Sequence, residues 1–280
     1  MARASTADPR APELIREHYE IEKGLAARLR SAGRDERKHL YTDLYEELYR
    51  RVPHHQKLTQ KRTADEDAEV VERQLRWLRP SVGPTDTFLE VGAGDCLVTM
   101  AVARLVKKSI AIEVSHTMAT NASPPANFEL VISDGVAIPV PPASVDVAYS
   151  QQLMEHLHPD DALDQLRNLY AALKPGGRYF CVTPNRVTGP HDISRHFDDV
   201  ATCFHLKEYT IGELARLFRA VGFRETSLYV STGSRPRQFP VWPFAFLETL
   251  LSPLPRTLRL RLARLVRPRV LSSFRLLGVK

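Results

Sequence analysis

The spacing of apolar residues differs between the first and the later part of this 280-residue chain. From residue 87 onward, short β-branched runs alternate with stretches in which apolar residues recur every three or four positions, a pattern that predicts strands connected by helices. Parallel neighbouring strands need such crossover connections, so we predict an α/β fold with a mostly parallel sheet and helices on both faces. The predicted strands are residues 87–91, 109–113, 128–132, 145–150, 178–183 and 224–230. The predicted helices are residues 96–106, 117–121, 160–173 and 210–222.

The first 80 residues show only the helical period. Six leucines and tyrosines form one stripe on a predicted helix that ends at Pro53: Leu40, Tyr41, Leu44, Tyr45, Leu48 and Tyr49. A second predicted helix, residues 65–79, begins with acids and stops before Pro80. The stripe either packs its helix onto the rest of the chain or lines a substrate pocket beneath a lid. We assign residues 1–80 to an N-terminal helical lid and predict that Tyr41, Tyr45 and Tyr49 contact the substrate.

Basic residues are concentrated at the end of the chain. Residues 251–280 contain eight basic residues and no acid, while the net charge of the whole chain is +6, so the other 250 residues carry −2. We therefore divide the remainder into a domain at residues 81–235 and a basic extension, rich in proline and leucine, at residues 236–280. The extension docks on the domain, contacts a membrane surface or partner protein, or binds nucleic acid. Nucleic acid is the least favoured partner, because the domain itself is not basic.

The N-terminal segment and the cysteines allow a prediction of the cellular compartment. The N-terminal segment has no apolar leader and the chain has no run of about 18 apolar residues, so we predict neither a signal peptide nor a membrane span. The three cysteines, Cys96, Cys181 and Cys203, are widely spaced and odd in number, which favours a reducing compartment without structural zinc. The sequence thus predicts a soluble, cytoplasmic protein.

A glycine turn, FLEVGAGDCLVTM at residues 88–100, joins the first predicted strand to a helix. Gly92 and Gly94, on either side of Ala93, let the backbone turn tightly and approach a ligand at the carboxyl end of the strand. Glu113 ends the next strand, 21 positions after Gly92, where a carboxylate can accept both hydroxyl groups of a ribose. The turn and this acid together predict a nucleoside-containing cofactor.

Two further acids refine the choice of cofactor. Asp134 follows the third strand, where a carboxylate can accept the exocyclic amine of adenine. Glu90 lies just before the turn, where its charge would repel a pyrophosphate and attract the cationic amino-acid end of S-adenosylmethionine. The residues therefore favour S-adenosylmethionine over NAD; the alternative is that Glu113 and Asp134 are solvated acids at strand ends.

The chain resembles the class I S-adenosylmethionine-dependent methyltransferase family, in particular its small-molecule branch. The similar segments are LEVGAGDC, IAIEVS, ISDGVAIPVPPASVDVAYSQQLMEHL, LRNLYAALKPGGRYFCVTPN and FHLKEYTIGELARLFRAVGF. The resemblance implies a Rossmann-like, seven-stranded, mostly parallel sheet that ends in an antiparallel hairpin, with S-adenosylhomocysteine as the product. Its cofactor contacts would be Glu90, Gly92, Ala93, Gly94, Glu113, Val114, Asp134, Gly135, Ser150 and Gln151. The sequence departs from the family at Cys96, where a third glycine is common.

Methyl transfer from a sulfonium needs mainly alignment of an in-line attack, plus a base when the acceptor is a hydroxyl group. His156 follows the fourth strand and is one candidate base, with a packing role as the alternative. The long segment after the fifth strand offers two further histidines with neighbouring acids, and helix capping is the alternative there. These candidate pairs are His191 with Asp192, and His196 with Asp198 or Asp199.

A metal site is a weaker interpretation of the same histidines. Some relatives hold a divalent ion with E-x-x-E-H and a later histidine, whereas this chain has QLMEH at residues 152–156. Gln152 removes one carboxylate and leaves Glu155 and His156, with His196 or His205 as the later ligand. Because the loss of a carboxylate weakens affinity for a hard cation, we predict no metal.

The sequence therefore predicts an S-adenosylmethionine-dependent methyltransferase that methylates a small molecule, at oxygen, by direct displacement. Two alternatives stay open. One is a nucleic-acid methyltransferase that uses the basic extension. The other is a catalytically silent, cofactor-binding scaffold that contacts a membrane or partner protein through the extension; the complete set of Glu90, Glu113 and Asp134 argues against it.

Overall fold

The computed structural model describes residues 8–59, 62–114, 123–232, 235–266 and 270–280. The predicted helix at residues 117–121 lies outside these ranges. The strands are β1 Thr87–Val91, β2 Lys108–Glu113, β3 Phe128–Ile132, β4 Val145–Gln151, β5 Leu173–Pro184, β6 Glu225–Thr232, β7 Arg235–Pro240 and β8 Ser273–Val279. The α-helices are α1 Pro12–Ser31, α2 Arg34–Arg51, α3 Gln56–Thr59, α4 Ala64–Leu78, α5 Leu97–Ala103, α6 Pro159–Ala172, α7 Ile211–Val221, α8 Trp242–Leu251 and α9 Arg256–Ala263. Within the described ranges, no helix is long and apolar enough to cross a membrane.

The eight strands form one sheet in the order β3-β2-β1-β4-β5-β8-β6-β7. β1 to β5 pair in parallel, and β8, β6 and β7 continue the sheet as antiparallel strands. The predicted α/β fold with a mostly parallel sheet is confirmed. Because the strand order reverses at β1, the crevice beyond the carboxyl ends of β1 and β4 is the position at which such sheets bind ligands.

The sheet has one strand more than the predicted seven. β7 contains Pro236 and Pro240, and prolines disfavour a central strand; β7 pairs only with β6, as an edge strand that tolerates the missing donors. β8 comes from the basic end of the chain, yet it lies between β5 and β6 with Phe274, Leu276 and Leu277 buried. Residues assigned to the extension thus supply strands to the same sheet.

Helices cover both faces of the sheet, as predicted. On one face, α4 and α5 pack on an aromatic cluster in which the ring centroid of Trp77 lies 5.3 Å from that of Tyr149 and 5.6 Å from that of Phe180. On the other face, α7 contributes Phe218, which stacks on Tyr179 of β5 at 5.3 Å. Burying one such side chain stabilises the fold by about 1.5–3 kcal/mol. These contacts hold the strand ends in place.

The first two helices are anchored to segments that follow strand ends. On α2, Arg37 donates to both carboxylate oxygens of Asp161 in α6, at 2.7 and 2.6 Å, and both side chains are buried. On α1, Arg30 donates to the backbone carbonyl oxygens of Thr202 at 2.6 Å and Cys203 at 2.9 Å, in the segment after β5. α1 and α2 therefore cover the carboxyl edge of the sheet, and their opening as a lid stays a prediction.

Candidate functional site

The glycine turn lies at the carboxyl end of β1, where the strand order reverses. Gly92 and Gly94 have φ angles of +70° and +55°, a left-handed conformation that disfavours other residues. A Cβ atom on Gly92 would lie 2.9 Å from Leu153 Cδ1, so the turn packs directly against the segment after β4. A Cβ atom on Gly94 would meet no atom of the described residues within 4 Å. The turn is therefore closed on the β4 side and open at Gly94.

Cys96 occupies a third left-handed position in the turn, with φ of +60°. This conformation costs a residue with a Cβ atom roughly 1–2 kcal/mol, which explains the preference for glycine there in the family it resembles. The Cys96 side chain is buried and packs with Ala93 and Ala111. Small size is thus what this position requires.

Glu113 turns its carboxylate back towards the glycine turn. Its Oε2 accepts a hydrogen bond from the backbone N–H of Gly94 at 2.7 Å, and Oε1 accepts one from the N–H of Val114 at 2.8 Å. A carboxylate has about four lone-pair positions, so two bonds leave capacity for two more donors. The carboxylate is held in one orientation beside the open part of the turn.

Asp134 and Gly135 shape the turn after β3. The Oδ1 atom of Asp134 accepts from the backbone N–H groups of Val136 and Ala137 at 2.9 and 2.7 Å, which fixes the carboxyl group at the strand end. Gly135 has φ of +85°, and a Cβ atom there would lie 3.7 Å from the Tyr41 ring. The contact of Asp134 with an adenine amine stays a prediction.

Glu90 is buried beneath the turn. Its Oε2 accepts a hydrogen bond from the hydroxyl of Thr99 in α5, so Glu90 ties β1 to the helix that follows. Burial raises the pKa of Glu90 to about 8, and the charges of Asp95 and Glu113 act in the same direction. A nearby cation would favour the ionised form of Glu90. Binding of a cationic ligand is therefore predicted to release the proton of the Glu90 carboxyl group.

Ser150 and Gln151, at the end of β4, use their side chains within the protein. The Ser150 Oγ atom lies 2.7 Å from the hydroxyl oxygen of Tyr179, and the Tyr149 hydroxyl donates to Gln151 Oε1. These bonds satisfy the phenol groups of two core tyrosines. The Ser150 Oγ and Gln151 Oε1 atoms are thus engaged within the protein.

The three predicted substrate-binding tyrosines have different surroundings. The Tyr41 hydroxyl donates to Asp161 at 2.7 Å and accepts from the N–H of His158 at 2.9 Å, so Tyr41 anchors α2 to α6. The Tyr45 hydroxyl lies 2.9 Å from Nδ1 of His156. The Tyr49 ring lies 6.3 Å from that of Tyr45, between centroids. The stripe thus combines packing with contacts to a candidate base.

A buried cluster of two histidines and two acids lies beneath α2. The rings of His156 and His205 meet edge to face, with centroids 4.8 Å apart. Nδ1 of His205 lies 2.7 Å from Glu208 Oε1. Nδ1 of His156 lies 3.1 Å from the carbonyl oxygen of Phe204, which can only accept, so this bond places the proton of His156 on Nδ1. Nε2 of each ring is then the nitrogen that remains for chemistry.

The charges of this cluster depend on its burial. Burial lowers the pKa of His156 well below its ordinary value, and the neighbouring His205 adds to the effect. Burial also opposes the charged form of His205, but its bond to Glu208 and the charges of Glu155 and Asp192 outweigh it and raise the pKa of His205. Burial raises the pKa of Glu155 to about 7. His205 and Glu208 thus form a buried, hydrogen-bonded pair of an imidazole and a carboxylate.

The other two predicted bases lie elsewhere in the loop. Nε2 of His191 is 3.0 Å from the carbonyl oxygen of Asn185, and Nε2 of His196 accepts from the neighbouring Arg195 at 3.1 Å. Asp192 accepts backbone N–H bonds from Cys203 and other residues of the loop, and it does not orient His191. The pairs expected from adjacent positions are thus not formed among the described residues. The signal for the observed pair was HLKE, which places His205 and Glu208 three positions apart.

Glu155 completes a group that has the composition of a metal site. One ligand atom from each of Glu155, His156 and His205 lies within 4.8 Å of the others. Thr183 donates to Glu155 Oε2 at 3.0 Å, whereas Oε1 is buried without a hydrogen-bond partner among the described residues. An unpaired buried carboxylate oxygen is costly unless something binds it.

The chain is similar to known methyltransferases in sequence. Residues 89–181 match a family described as a methyltransferase domain. A protein of Mycolicibacterium smegmatis named as a probable S-adenosylmethionine-dependent methyltransferase is 32% identical over 150 residues, which are 52% of this chain and 55% of that protein. A protein of Mycobacterium tuberculosis with the same description is 28% identical over 141 residues, 50% of this chain and 49% of that protein. The chain spans about half the length of the curated relatives it matches.

Solved structures share the fold at low sequence identity. An S-adenosylmethionine-dependent methyltransferase from Archaeoglobus fulgidus has a TM-score of 0.52 and 16% identity, over 76% of this chain and 94% of that one. A phosphoethanolamine N-methyltransferase from Haemonchus contortus, solved with S-adenosylmethionine, has a TM-score of 0.51 and 14% identity, over 75% of this chain and 52% of that one. Identities this low establish the fold alone.

Proposed function

We propose that the chain, whose residues 89–181 match a family described as a methyltransferase domain, transfers a methyl group from S-adenosylmethionine to an oxygen of a small molecule. The observation that carries the proposal is the glycine turn, open at Gly94, with the Glu113 carboxylate held beside it at 2.7 Å from the Gly94 nitrogen. An open turn next to an oriented acceptor fits a ribose with two hydroxyl groups.

The residues around the turn fit S-adenosylmethionine. Glu113 would accept the ribose hydroxyls, and Asp134 beside Gly135 would accept the adenine amine. Glu90 would face the cationic amino-acid end, since a cation offsets the cost of ionising this buried carboxyl group. The remaining contacts would come from the backbone of Ala93, Val114, Ser150 and Gln151. The cofactor supplies an activated methyl group, so the protein has to align the acceptor and remove its proton.

The proton of the acceptor goes to the histidine cluster in this proposal. Glu208 orients His205 and stabilises its charged form, as the acid of a base–acid pair does. His156 lies beside His205, between the Tyr45 hydroxyl and the Phe204 carbonyl. Its own ring is neutral, because burial lowers its pKa. Glu155, His205 and Glu208 are buried and His156 is half-buried, so we propose that α2 and Tyr45 move aside to admit the acceptor. This is the lid role proposed for the N-terminal helices.

A second candidate for acceptor activation is a divalent cation. The buried, unpaired Oε1 of Glu155 favours it, because a cation held with Nε2 of His156 and His205 would satisfy that oxygen. Dialysis against a chelator separates the two candidates. Full activity after removal of metal supports a histidine base. Activity that is lost and then restored by Mn²⁺ supports the cation.

A transfer screen tests the proposed function. The purified chain is incubated with methyl-labelled S-adenosylmethionine and separate acceptor classes: sugars, polyketides, quinone precursors, lipid-like alcohols and RNA. We expect label in one small-molecule class at a hydroxyl group, with His205→Ala reducing it about 10²- to 10⁴-fold. Label found in RNA alone would favour the nucleic-acid alternative, and no label in any class would favour a silent scaffold.

A further inference from the structure

A row of large apolar side chains lies exposed on α8. Trp242, Phe246 and Leu250 follow one another at intervals of four positions and therefore share one face of the helix. Their exposed fractions are 72%, 63% and 55%. Contiguous apolar surface of this kind on a folded protein marks an interaction site.

The opposite face of α8 is fixed to the body of the protein. The Glu248 carboxylate is buried and accepts hydrogen bonds from the backbone N–H groups of Ile211 and Gly212, at 2.8 and 3.1 Å, and from the Asn185 side chain at 2.8 Å. Leu251 is buried on the same side. The helix cannot turn its apolar row inwards without breaking these bonds, so the row faces outwards in the folded protein.

Arginines lie in the groove beside the apolar row and on α9, the helix that follows it in the chain. A groove of about 650 Å³ between α7 and α8 is lined by Arg216 and Arg219 as well as by Trp242 and Phe246. Glu213 also lines it, but its charge is paired with that of Arg186 at 2.9 Å. Beyond α8, the exposed Leu258 and Leu265 lie among basic residues of α9 and the turn after it. These basic residues are Arg256, Arg259, Arg261 and Arg264. Glu248, whose carboxylate is buried, is the one acid between residues 241 and 266.

We propose that α8, α9 and the arginine-lined groove form a face that binds the surface of an anionic lipid bilayer. Trp242, Phe246 and Leu250 would enter the boundary between headgroups and acyl chains, where tryptophan is favoured. The arginines would contact anionic headgroups, whose negative surface potential attracts basic side chains. Between residues 241 and 266 the only acid, Glu248, is buried, and this charge pattern matches a uniformly anionic surface better than a mixed protein surface.

The position of α8 and α9 relative to the carboxyl edge of the sheet also favours contact with a bilayer. Asn185 follows β5 directly and donates to Glu248, so α8 lies at the carboxyl edge of the sheet. Arg256 of α9 donates to the backbone carbonyl of Arg195, in the loop that carries the histidines. The proposed bilayer face is therefore joined to the loop that also carries His205, and this inference holds whatever the acceptor is.

Vesicle binding monitored by tryptophan fluorescence tests the proposal. The chain has two tryptophans; Trp77 is buried and Trp242 is exposed, so a change on binding reports on α8. We expect a blue shift with vesicles of phosphatidylcholine and phosphatidylglycerol, weaker binding to phosphatidylcholine alone, and a loss of affinity at high salt. Equal binding to neutral and anionic vesicles, or none to either, would overturn the proposal and leave a protein partner for this face.

Co-sedimentation of variants with the same vesicles assigns the contact to residues. Replacing Trp242, Phe246 and Leu250 together by serine should lower the affinity at least about tenfold, and R216Q/R219Q should lower it about tenfold on anionic vesicles only. The matched controls are Val200→Ser, at an exposed apolar residue elsewhere, and R73Q/R76Q on α4. Circular dichroism checks that each variant is folded. Wild-type affinity in the folded triple variant would refute the assignment.

Discussion

His205 Nδ1 lies 2.7 Å from Glu208 Oε1 in a buried cluster that also contains His156. The carboxylate raises the pKa of His205 against the opposing effect of burial. An imidazole with one ring nitrogen held by a carboxylate and the other nitrogen free to accept a proton is the arrangement that a general base requires. The cluster therefore connects the fold of the loop after β5 to the proposed chemistry.

Glu208→Gln should shift the pH dependence of transfer. Without the carboxylate, the pKa of His205 falls, and because a base must be unprotonated, the acidic limb of kcat/KM against pH should move to lower pH with a reduced maximum. Glu225→Gln, on the exposed side of β6, is the control and should leave the profile in place. An unmoved acidic limb in Glu208→Gln would mean that His205 is not the titrating base.

Tyr45→Phe and Tyr41→Phe should separate the two parts of the tyrosine stripe. Tyr45→Phe removes the hydroxyl next to His156 and should reduce kcat while leaving S-adenosylmethionine affinity unchanged. Tyr41→Phe removes one of the donors to Asp161, which keeps Arg37, and leaves the N–H of His158 without its partner, so it should lower the free energy of unfolding by about 1–3 kcal/mol. Urea unfolding and steady-state kinetics on both variants test this division; the reverse pattern would contradict it.

The buried ion pair between Arg37 and Asp161 should be essential to the docking of α2. Arg37→Ala leaves a buried carboxylate uncompensated and should cost about 3–5 kcal/mol of unfolding free energy. Arg34→Ala on the same helix is the matched control, since Arg34 is mostly exposed in its pair with Asp164 and should cost about 1 kcal/mol or less. Similar losses in both variants would show that burial of the pair does not matter.

Glu90 should make the protein less stable as the pH rises. Burial raises its pKa from the ordinary 4.5 to about 8, so between these values the folded state binds more protons than the unfolded state. The free energy of unfolding then falls as pH increases through that window. Glu90→Gln removes the titrating group and should flatten the decline, while Glu129→Gln on the exposed side of β3 should not. Chemical unfolding at pH 5, 6, 7 and 8 gives the slopes, and equal slopes in all three proteins would exclude Glu90 as the source.

The local sequence pattern predicted most strands of the sheet but not β7 and β8. The bounds of β1 and β3 agree with the predicted residues 87–91 and 128–132, because β-branched runs flanked by turns need no long-range information. The resemblance implied a final antiparallel hairpin, but no residues were assigned to β7 or β8, since prolines in one and basic neighbours in the other outweigh their apolar content. Their pairing with β6 depends on contacts distant in sequence.

In the candidate site too, the sequence predicted some residues and missed others. Turns after successive strands lie at one edge of any parallel sheet, so the positions of Gly92, Glu113 and Asp134 followed from topology. The histidine cluster depends on how the loop after β5 folds beneath α2, and neighbouring acids proved a poor guide to it. The exposed row on α8 was missed for a related reason: apolar residues on both faces of a helix predict burial.

Calorimetric titration with S-adenosylmethionine tests the central claim most directly, namely that the glycine turn and Glu113 hold this cofactor. We predict binding to the wild-type chain, no binding of NAD, an affinity for S-adenosylmethionine at least about tenfold weaker in Glu113→Gln, and unchanged affinity in the control Glu129→Gln. Binding of NAD instead, or an unchanged affinity in Glu113→Gln, would contradict the account.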